Sequence, residues 1–303
     1  MDGVLVIDKP AGWTSHDVVA KIRNITKIKK VGHTGTLDPF ATGVLPLTLG
    51  KATRLTSYYL SSDKLYRGVI RFGFATSTFD LDGEPSGEDT LPSLDRSRLE
   101  SLFARYVGKV TQTLPAYSAK KVHGKPLYAY ARIGVDMGES TKEVVIKSLT
   151  LLRIQNSEAE FELACGAGTY ARSLAHDLGR EYGCGAHLVR LQRVRSGEFP
   201  IEAAKSLSEG ETFHTREYFL DHAIPMRNLL AEIPAIVLSD GDRARVSNGM
   251  DLNLLTSAFD APEYRLLDQS GELVALAQRL QTFSSPVPQP VKWVRAHPRV
   301  IFA

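Results

Sequence analysis

Lys64-Leu65-Tyr66-Arg67-Gly68-Val69-Ile70-Arg71-Phe72-Gly73-Phe74 changes character residue by residue. Tyr66, Gly68, Ile70, Phe72 and Phe74 fall on one side, and Arg67, Val69 and Arg71 on the other. Successive side chains of a strand point to opposite faces, so this is a strand with one buried and one wet face. Residues 158–165 repeat the pattern through Ala159, Phe161, Leu163 and Cys165, and 143–154 and 187–195 read as further strands. Toward the N-terminus, Val4–Ile7 reads as a short buried strand closed by the turn Lys9-Pro10-Ala11-Gly12, and Val44–Leu49 as an apolar strand.

Helices fall between these strands without a regular strand–helix–strand rhythm, which makes the class α+β with a mixed, mainly antiparallel sheet. Thr14, with Asp17 three residues on, predicts a capped helix burying Val18, Val19, Ile22 and Ile25. Leu99, Leu102, Phe103 and Tyr106 mark an amphipathic helix over 95–107, stopped by Gly108. Gly166-Ala167-Gly168 ends a strand, and Thr169 reads as the cap of a helix through Leu174 and Leu178 to Tyr182. Residues 203–230 are acidic and helix-like. Residues 233–303 read as short strands with turns at Ser247-Asn248-Gly249 and Asp268-Gln269-Ser270-Gly271. A larger domain over 1–230 and a small β module over 231–303 are therefore expected.

Bulk composition is that of an ordinary globular chain: 43% apolar, 23% charged, net charge +3 over 303 residues. The distribution of charge says more. Residues 101–135 carry Arg105, Lys109, Lys120, Lys121, Lys125 and Arg132 with no acid; 182–197 carry Arg190, Arg193 and Arg195 with none. One basic face follows, suited to a polyanion. Cys165 and Cys184 have no His or Cys at metal-ligand spacing, which argues for free thiols over a zinc site or a disulfide framework. The first ten residues hold too short an apolar run for a signal peptide, and no run is long enough to span a bilayer; a cytoplasmic location is expected.

Asp38 is the lone acid between Asp17 and Asp63, within His33-Thr34-Gly35-Thr36-Leu37-Asp38-Pro39. Lys21, Arg23, Lys27, Lys29, Lys30, Lys51 and Arg54 surround it in sequence. A turn Asp before a proline is common. The basic setting, however, predicts a depressed pKa and an ionised carboxylate, able to attack an electrophilic carbon such as a sugar anomeric centre. Arg172, early in its helix, is either a surface arginine or a fixed guanidinium for a buried carboxylate. Tyr66 is either a core tyrosine or a base-stacking ring with a free hydroxyl. Residues 117–142 interleave Lys120, Lys121, Lys125 and Arg132 with Tyr117, Tyr128 and Tyr130, a composition suited to phosphates and unstacked bases. Gly166-Ala167-Gly168 lacks the Lys and Thr of a nucleotide P-loop, which excludes that class of NTPase.

In order along the chain, several blocks resemble the TruB-type tRNA pseudouridine synthases, in their bacterial form. They are Asp8-Lys9-Pro10 with Gly12 and Thr14-Ser15, His33–Pro46, Lys64-Leu65-Tyr66-Arg67, Pro115–Lys121, Gly168–Leu174 and Gly183–Leu188. The resemblance covers roughly residues 3–200. It implies isomerisation of uridine to pseudouridine at position 55 in the tRNA T-loop, by base flipping, with no cofactor or metal and no obligate protein partner. It implies Asp38 as nucleophile, Tyr66 as stacking and proton-transfer group, and Arg172 as partner of Asp38. His33 matches the residue wedged into the T-loop, Tyr170 and Leu191 match uridine-pocket residues, and Lys9 and Asp80 match positions near the site. The insertion, with Lys120, Lys121, Lys125, Tyr128 and Arg132, would clamp the RNA, and the C-terminal module resembles a PUA-type RNA-binding domain. Ser77, Ala167 and Phe40 depart from the residues frequent in the family.

Three other readings stand beside this one. A folding chaperone could use the same basic face for tRNA without chemistry. A synthase could act on another RNA. A sugar hydrolase would need a second carboxylate, for which Asp80 is the obvious candidate.

Overall fold

The computed structural model describes residues 1–115, 140–207, 215–283 and 291–302, with the backbone of two short paired strands, β8 (Lys121–Val122) and β9 (Lys125–Pro126). The basic insertion, with its expected RNA contacts Lys120, Lys121, Lys125, Tyr128 and Arg132, otherwise lies outside the described residues.

The chain opens with β1 (Gly3–Lys9), α1 (Ser15–Thr26), β2 (Val31–His33) and β3 (Thr42–Leu49). A 3₁₀ turn over Gly50–Leu55 leads into the short α2 (Thr56–Leu60), then β4 (Lys64–Phe72). A small hairpin, β5 (Ala75–Thr76) with β6 (Pro85–Ser86), precedes α3 (Arg96–Arg105) and β7 (Gly108–Thr113). After the insertion come β10 (Thr141–Gln155), β11 (Glu158–Cys165), α4 (Ala171–Tyr182) and β12 (Ala186–Ser196). β13 (Phe199–Pro200), β14 (Lys205–Ser206), α5 (Arg216–Asp221) and β15 (Ile224–Pro225) complete the larger part. The remainder holds β16 (Ala235–Val237), α6 (Asp240–Ser247), β17 (Leu252–Thr256), β18 (Glu263–Leu267), β19 (Leu273–Phe283) and β20 (Lys292–Ile301).

Eleven strands form one sheet, with the path β14-β1-β3-β12-β4-β11-β10-β7, and β13, β15 and β2 pair at its side. Pairing is antiparallel except between β1 and β14 and between β3 and β12. This parallel contact brings the start of β3, just after Asp38, against the middle of β12. The opening strand pairs as its alternation predicts: Tyr66 faces Leu163 on β11 and Arg193 on β12. Phe161, Leu163, Ile70 and Phe72 are fully buried under α3 and α4, in a core that also takes Leu5, Ile7 and the apolar face of α1. Each large side chain so buried contributes roughly 1.5–3 kcal/mol.

α1 carries the predicted capping box, with Thr14 and Asp17 bonded reciprocally. The cap of α4 differs from expectation. Tyr170, not Thr169, is the N-cap residue, and it makes no side-chain cap bond. Thr169 instead donates to the Gly166 carbonyl. The buried Gln112 amide takes over, accepting from the Tyr170 N–H at 3.0 Å and donating to its C=O at 3.1 Å. A residue 58 positions away sets the start of this helix, which local sequence does not report. The acidic stretch 203–230 is not one helix: its described residues hold the short α5, the two-residue strands β14 and β15, and a 3₁₀ turn over Met226–Asn228.

The C-terminal segment adds a helix, α6, that the turn signals concealed; Ser239 caps it. Its five strands run β16-β18-β19-β20-β17. The sheet has its own core around Tyr264, Leu266 and Val294, but it is not loosely tethered. Leu273, Leu276 and Phe302 share a second core with Val4, Val6, Val44 and Leu55 on the back of the large sheet. Arg265 donates to the carbonyls of Ile233 and Leu229, and Glu198 accepts from the Tyr59 hydroxyl and the Leu230 N–H. Arg54 also bonds the Ile301 carbonyl.

Candidate active site

The loop between β2 and β3 is held before it does anything. Ser15, buried at the start of α1, accepts from the Leu37 N–H at 2.9 Å and donates back to the Leu37 C=O at 3.3 Å. The Ala41 N–H closes a turn on the Asp38 carbonyl, and the Gly12 N–H donates to Pro39. The Lys9 ammonium donates to the carbonyls of Pro10, Trp13 and Pro39. Burial pushes this amine down to about 8. Lys9 is therefore near the site, as expected, but its charge faces backbone carbonyls and serves as a brace for the loop.

Asp38 projects from this frame with its side chain 30% exposed, whereas the Arg172 side chain beside it is 5% exposed. Arg172 Nη2 donates to Asp38 Oδ1 at 2.9 Å. Arg172 Nη1 lies 3.2 Å from Asp80 Oδ2 and 3.2 Å from the Thr78 carbonyl it donates to. One guanidinium thus joins a half-open carboxylate to a buried one. The fork geometry and permanent charge of arginine suit this task, which a lysine point charge would meet less well. Asp80 is itself fixed by the Thr78 hydroxyl and the Asp82 N–H. Phe79 between them has φ +65° and stacks on His176 at 3.8 Å between ring centroids.

The Asp38 carboxyl reverses the sign expected from the sequence. Its pKa is raised above the ordinary carboxylate value. Burial is the largest cause; Arg172 and Lys9 oppose it, and the Asp80 charge adds to it. Most of the loop's sequence-adjacent lysines sit on exposed ground: Lys21, Lys27, Lys29, Lys30 and Lys51 are solvated and screened. Counting nearby cations in the sequence overstated their reach.

Tyr66, Leu191 and Arg193 rise from one sheet face, since Gly68 pairs with Leu191 and Tyr66 with Arg193. The Tyr66 phenol is raised above its ordinary value by burial, with the Arg193 guanidinium pulling the other way. His33 is held in its neutral direction by burial and by Arg193, and its Nδ1 accepts from the Gly35 N–H at 3.4 Å. Tyr170 stands half-buried at the entry to α4, two residues before Arg172. The structure thus joins Asp38, Arg172, Asp80 and Lys9 in one network, and sets Tyr66 and His33 around a common neighbour, Arg193. Ser77 and Ala167 are exposed, and Phe40 is half-buried against the main core.

Sequence reading missed Thr78, Gln112 and His176, and set Arg193 on a basic face although it is 1% exposed. Polar residues at inward strand positions were the available signal for Gln112 and Arg193. Nothing local marks the other two.

This architecture recurs in solved structures. A Cbf5–Nop10–Gar1 complex superposes with TM-score 0.73 at 25% identity, covering 99% of this chain and 85% of that one. An H/ACA ribonucleoprotein bound to a substrate RNA containing 2′-deoxyuridine gives 0.72 at 25% identity, with the same coverage. Sequence narrows the class. The model for the TruB family pseudouridylate synthase N-terminal domain matches residues 23–171, and that for the tRNA pseudouridylate synthase B C-terminal domain matches 172–231. A Solibacter usitatus protein named tRNA pseudouridine synthase B is 44% identical over 92% of this chain and 96% of its own length. A Ralstonia nicotianae protein of the same name is 36% identical over 96% and 94%. The chain belongs to the TruB family of pseudouridylate synthases and is an isomerase.

Proposed function

We propose that this enzyme isomerises a T-loop uridine of tRNA, at position 55, to pseudouridine, with Asp38 as the nucleophile. The observation that carries the assignment is the Asp38–Arg172 pair: a carboxylate open on one side, oriented at 2.9 Å by an otherwise buried guanidinium. The names of its relatives support tRNA as the substrate.

A stacked, paired uridine cannot rotate about its own glycosidic bond, so the nucleotide leaves the stack at a cost of roughly a few kcal/mol. His33, neutral and at the rim of the Asp38 loop, wedges the space it vacates. Leu191 and Tyr170 flank the flipped base, and Tyr66 stacks on it. Asp38 attacks either C1′ of the ribose or C6 of the ring. The N1–C1′ bond breaks, the base turns, a C5–C1′ bond forms, and C5 loses its proton while N1 gains one. Tyr66 serves as the C5 proton acceptor. Arg172 holds Asp38 ionised and aimed, and Asp80 holds Arg172. Lys9 supports the loop from behind.

Residues 1–230 form the catalytic part in this reading, and 231–303 act as a PUA-type RNA-binding module. The insertion, through Lys120, Lys121, Lys125, Tyr128 and Arg132, clamps the RNA backbone, which makes binding sensitive to salt. A cytoplasmic location matches the proposed substrate.

The test is release of tritium from unmodified tRNA labelled at uridine C5. Stoichiometric release from one T-loop uridine, abolished in Asp38→Asn with tRNA binding retained, supports the proposal. Full turnover by Asp38→Asn would falsify it, and binding without release would favour the chaperone reading.

A further inference from the structure

Arg193 is among the largest fully buried side chains of the protein, 1% exposed, and the chemistry above gives it no task. Its position in β12 is unusual. The residue pairs with Gly43 of β3 on one side and Tyr66 of β4 on the other. Its side chain then turns back over β3. Nε donates to the Val44 carbonyl at 2.7 Å, and Nη2 donates to the Gly35 carbonyl at 3.0 Å. Gly35 lies at the start of the loop that presents Asp38, and Val44 lies in β3 just beyond its end.

The fit is tight at Gly43 and an ordinary contact at Gly35. A Cβ added at Gly43 would stand 2.3 Å from the Arg193 carbonyl oxygen, and one at Gly35 would stand 3.5 Å from Arg193 Nη1. Among the described residues, no carboxylate lies within ion-pair distance of Arg193. The Tyr66 hydroxyl is a further hydrogen-bond partner. Burying a charge on neutral partners, with no carboxylate to pair it, is costly, and a core does not need it for packing alone. Its field reaches five neighbouring groups, His33, Tyr66, Lys9, Lys64 and Cys165.

We propose that Arg193 is a positioning residue for the isomerisation. One guanidinium ties the start of the Asp38 loop to the strand just beyond its end and stands as counter-cation to the Tyr66 phenol, fixing the two reacting groups relative to each other. The inference rests on Asp38 and Tyr66 being those groups. The charged and titratable groups facing Tyr66 are Arg193 from β12, Cys165 from β11 and Asp38 from its loop. Arg193 is the cation of the three, so it favours the phenolate that accepts the C5 proton.

The test compares Arg193→Lys and Arg193→Gln with the wild type and with Tyr66→Phe. It reads kcat and KM separately by tritium release, the pH profile of kcat, and hydrogen exchange at the amides of residues 35–44. Arg193→Gln is expected to lower kcat 100-fold or more with KM within threefold. The alkaline rise of its profile should move up by a unit or more, and exchange should quicken over 35–44 ahead of the rest of the sheet. Arg193→Lys keeps the charge but cannot reach both carbonyls. It should hold the wild-type pH profile, recover part of kcat and still exchange faster over 35–44.

A kcat within threefold of wild type in either variant overturns the inference. So does a kcat loss with an unmoved profile and exchange raised evenly across the protein, the mark of a merely structural arginine. If Arg193→Gln does not fold, Arg193→Lys decides by the same criteria. Tyr66→Phe separates the two levels. Full turnover there removes the proton-acceptor role itself, whereas a slow Tyr66→Phe beside a fast Arg193→Gln removes only the role of Arg193.

Discussion

Arg172 places one nitrogen 2.9 Å from Asp38 and the other 3.2 Å from Asp80, so a single buried charge serves two carboxylates of unequal exposure. The better-buried acid, 6% exposed against 30%, holds the arginine and sets a like charge near Asp38. Asp38 keeps the open side.

Arg172→Lys should therefore fail despite keeping the charge. A lysine cannot bond Asp38, Asp80 and the Thr78 carbonyl in one plane. Turnover is expected to drop roughly 100-fold or more, with tRNA affinity changed little, by analogy with losing one preorganised electrostatic contact. Single-turnover rates alongside filter-binding affinities check this; a rate within threefold of wild type would contradict it.

The pH dependence has a definite sign. Asp38 must be ionised to attack, and its pKa lies above the ordinary carboxylate range, with burial as the main cause and Asp80 contributing. The acid limb of kcat should accordingly lie above the ordinary carboxylate range, and activity should fall as pH drops through it. Asp80→Asn removes a like charge, which lowers the Asp38 pKa and moves the limb toward acid. The same variant loosens Arg172, so its plateau rate should fall. A limb that moves toward alkali would contradict the arrangement.

Gly43→Ala tests the parallel contact between β3 and β12. Gly43 has φ +99°, and its missing Cβ leaves room for the Arg193 backbone. An added methyl meets strain from its own backbone and a clash from its neighbour, and the site cannot yield without parting the strands. A loss of about 2–4 kcal/mol is expected in denaturant unfolding, within the range for overpacking joined to an unfavourable φ. Gly12→Ala, at φ +82° with open space around it, should cost less, through backbone strain alone.

Truncation at residue 230 bears on the independence of the C-terminal module. Leu273, Leu276 and Phe302 cover Val4, Val6 and Val44, so cutting the module off strips the back of the large sheet. At about 1.5–3 kcal/mol for each large side chain removed, the remaining chain should lose roughly 5 kcal/mol or more. Thermal melting of the 1–230 fragment checks this. A fragment as stable as the whole would show that the shared core contributes little.

The sequence by itself determined the strands whose faces alternate, the capped first helix, and the residue types able to do chemistry. Period and capping are local properties, so Tyr66 on its inward face and Asp38 in its loop were legible. Order of motifs along the chain carried the family. The tertiary structure decided what is non-local. It chose Tyr170 over Thr169 as the start of α4 because Gln112 reaches across from β7. It turned Lys9 onto backbone carbonyls and reversed the sign of the Asp38 shift, because burial is set by the whole packed surroundings and not by neighbours in sequence. It brought Arg172, Asp80 and Asp38 to one point from three segments, and drew Arg193 beside Tyr66 and the Asp38 loop. It also fused the C-terminal module to the sheet through a shared core, since apolar faces on separate segments find each other only once the chain has folded.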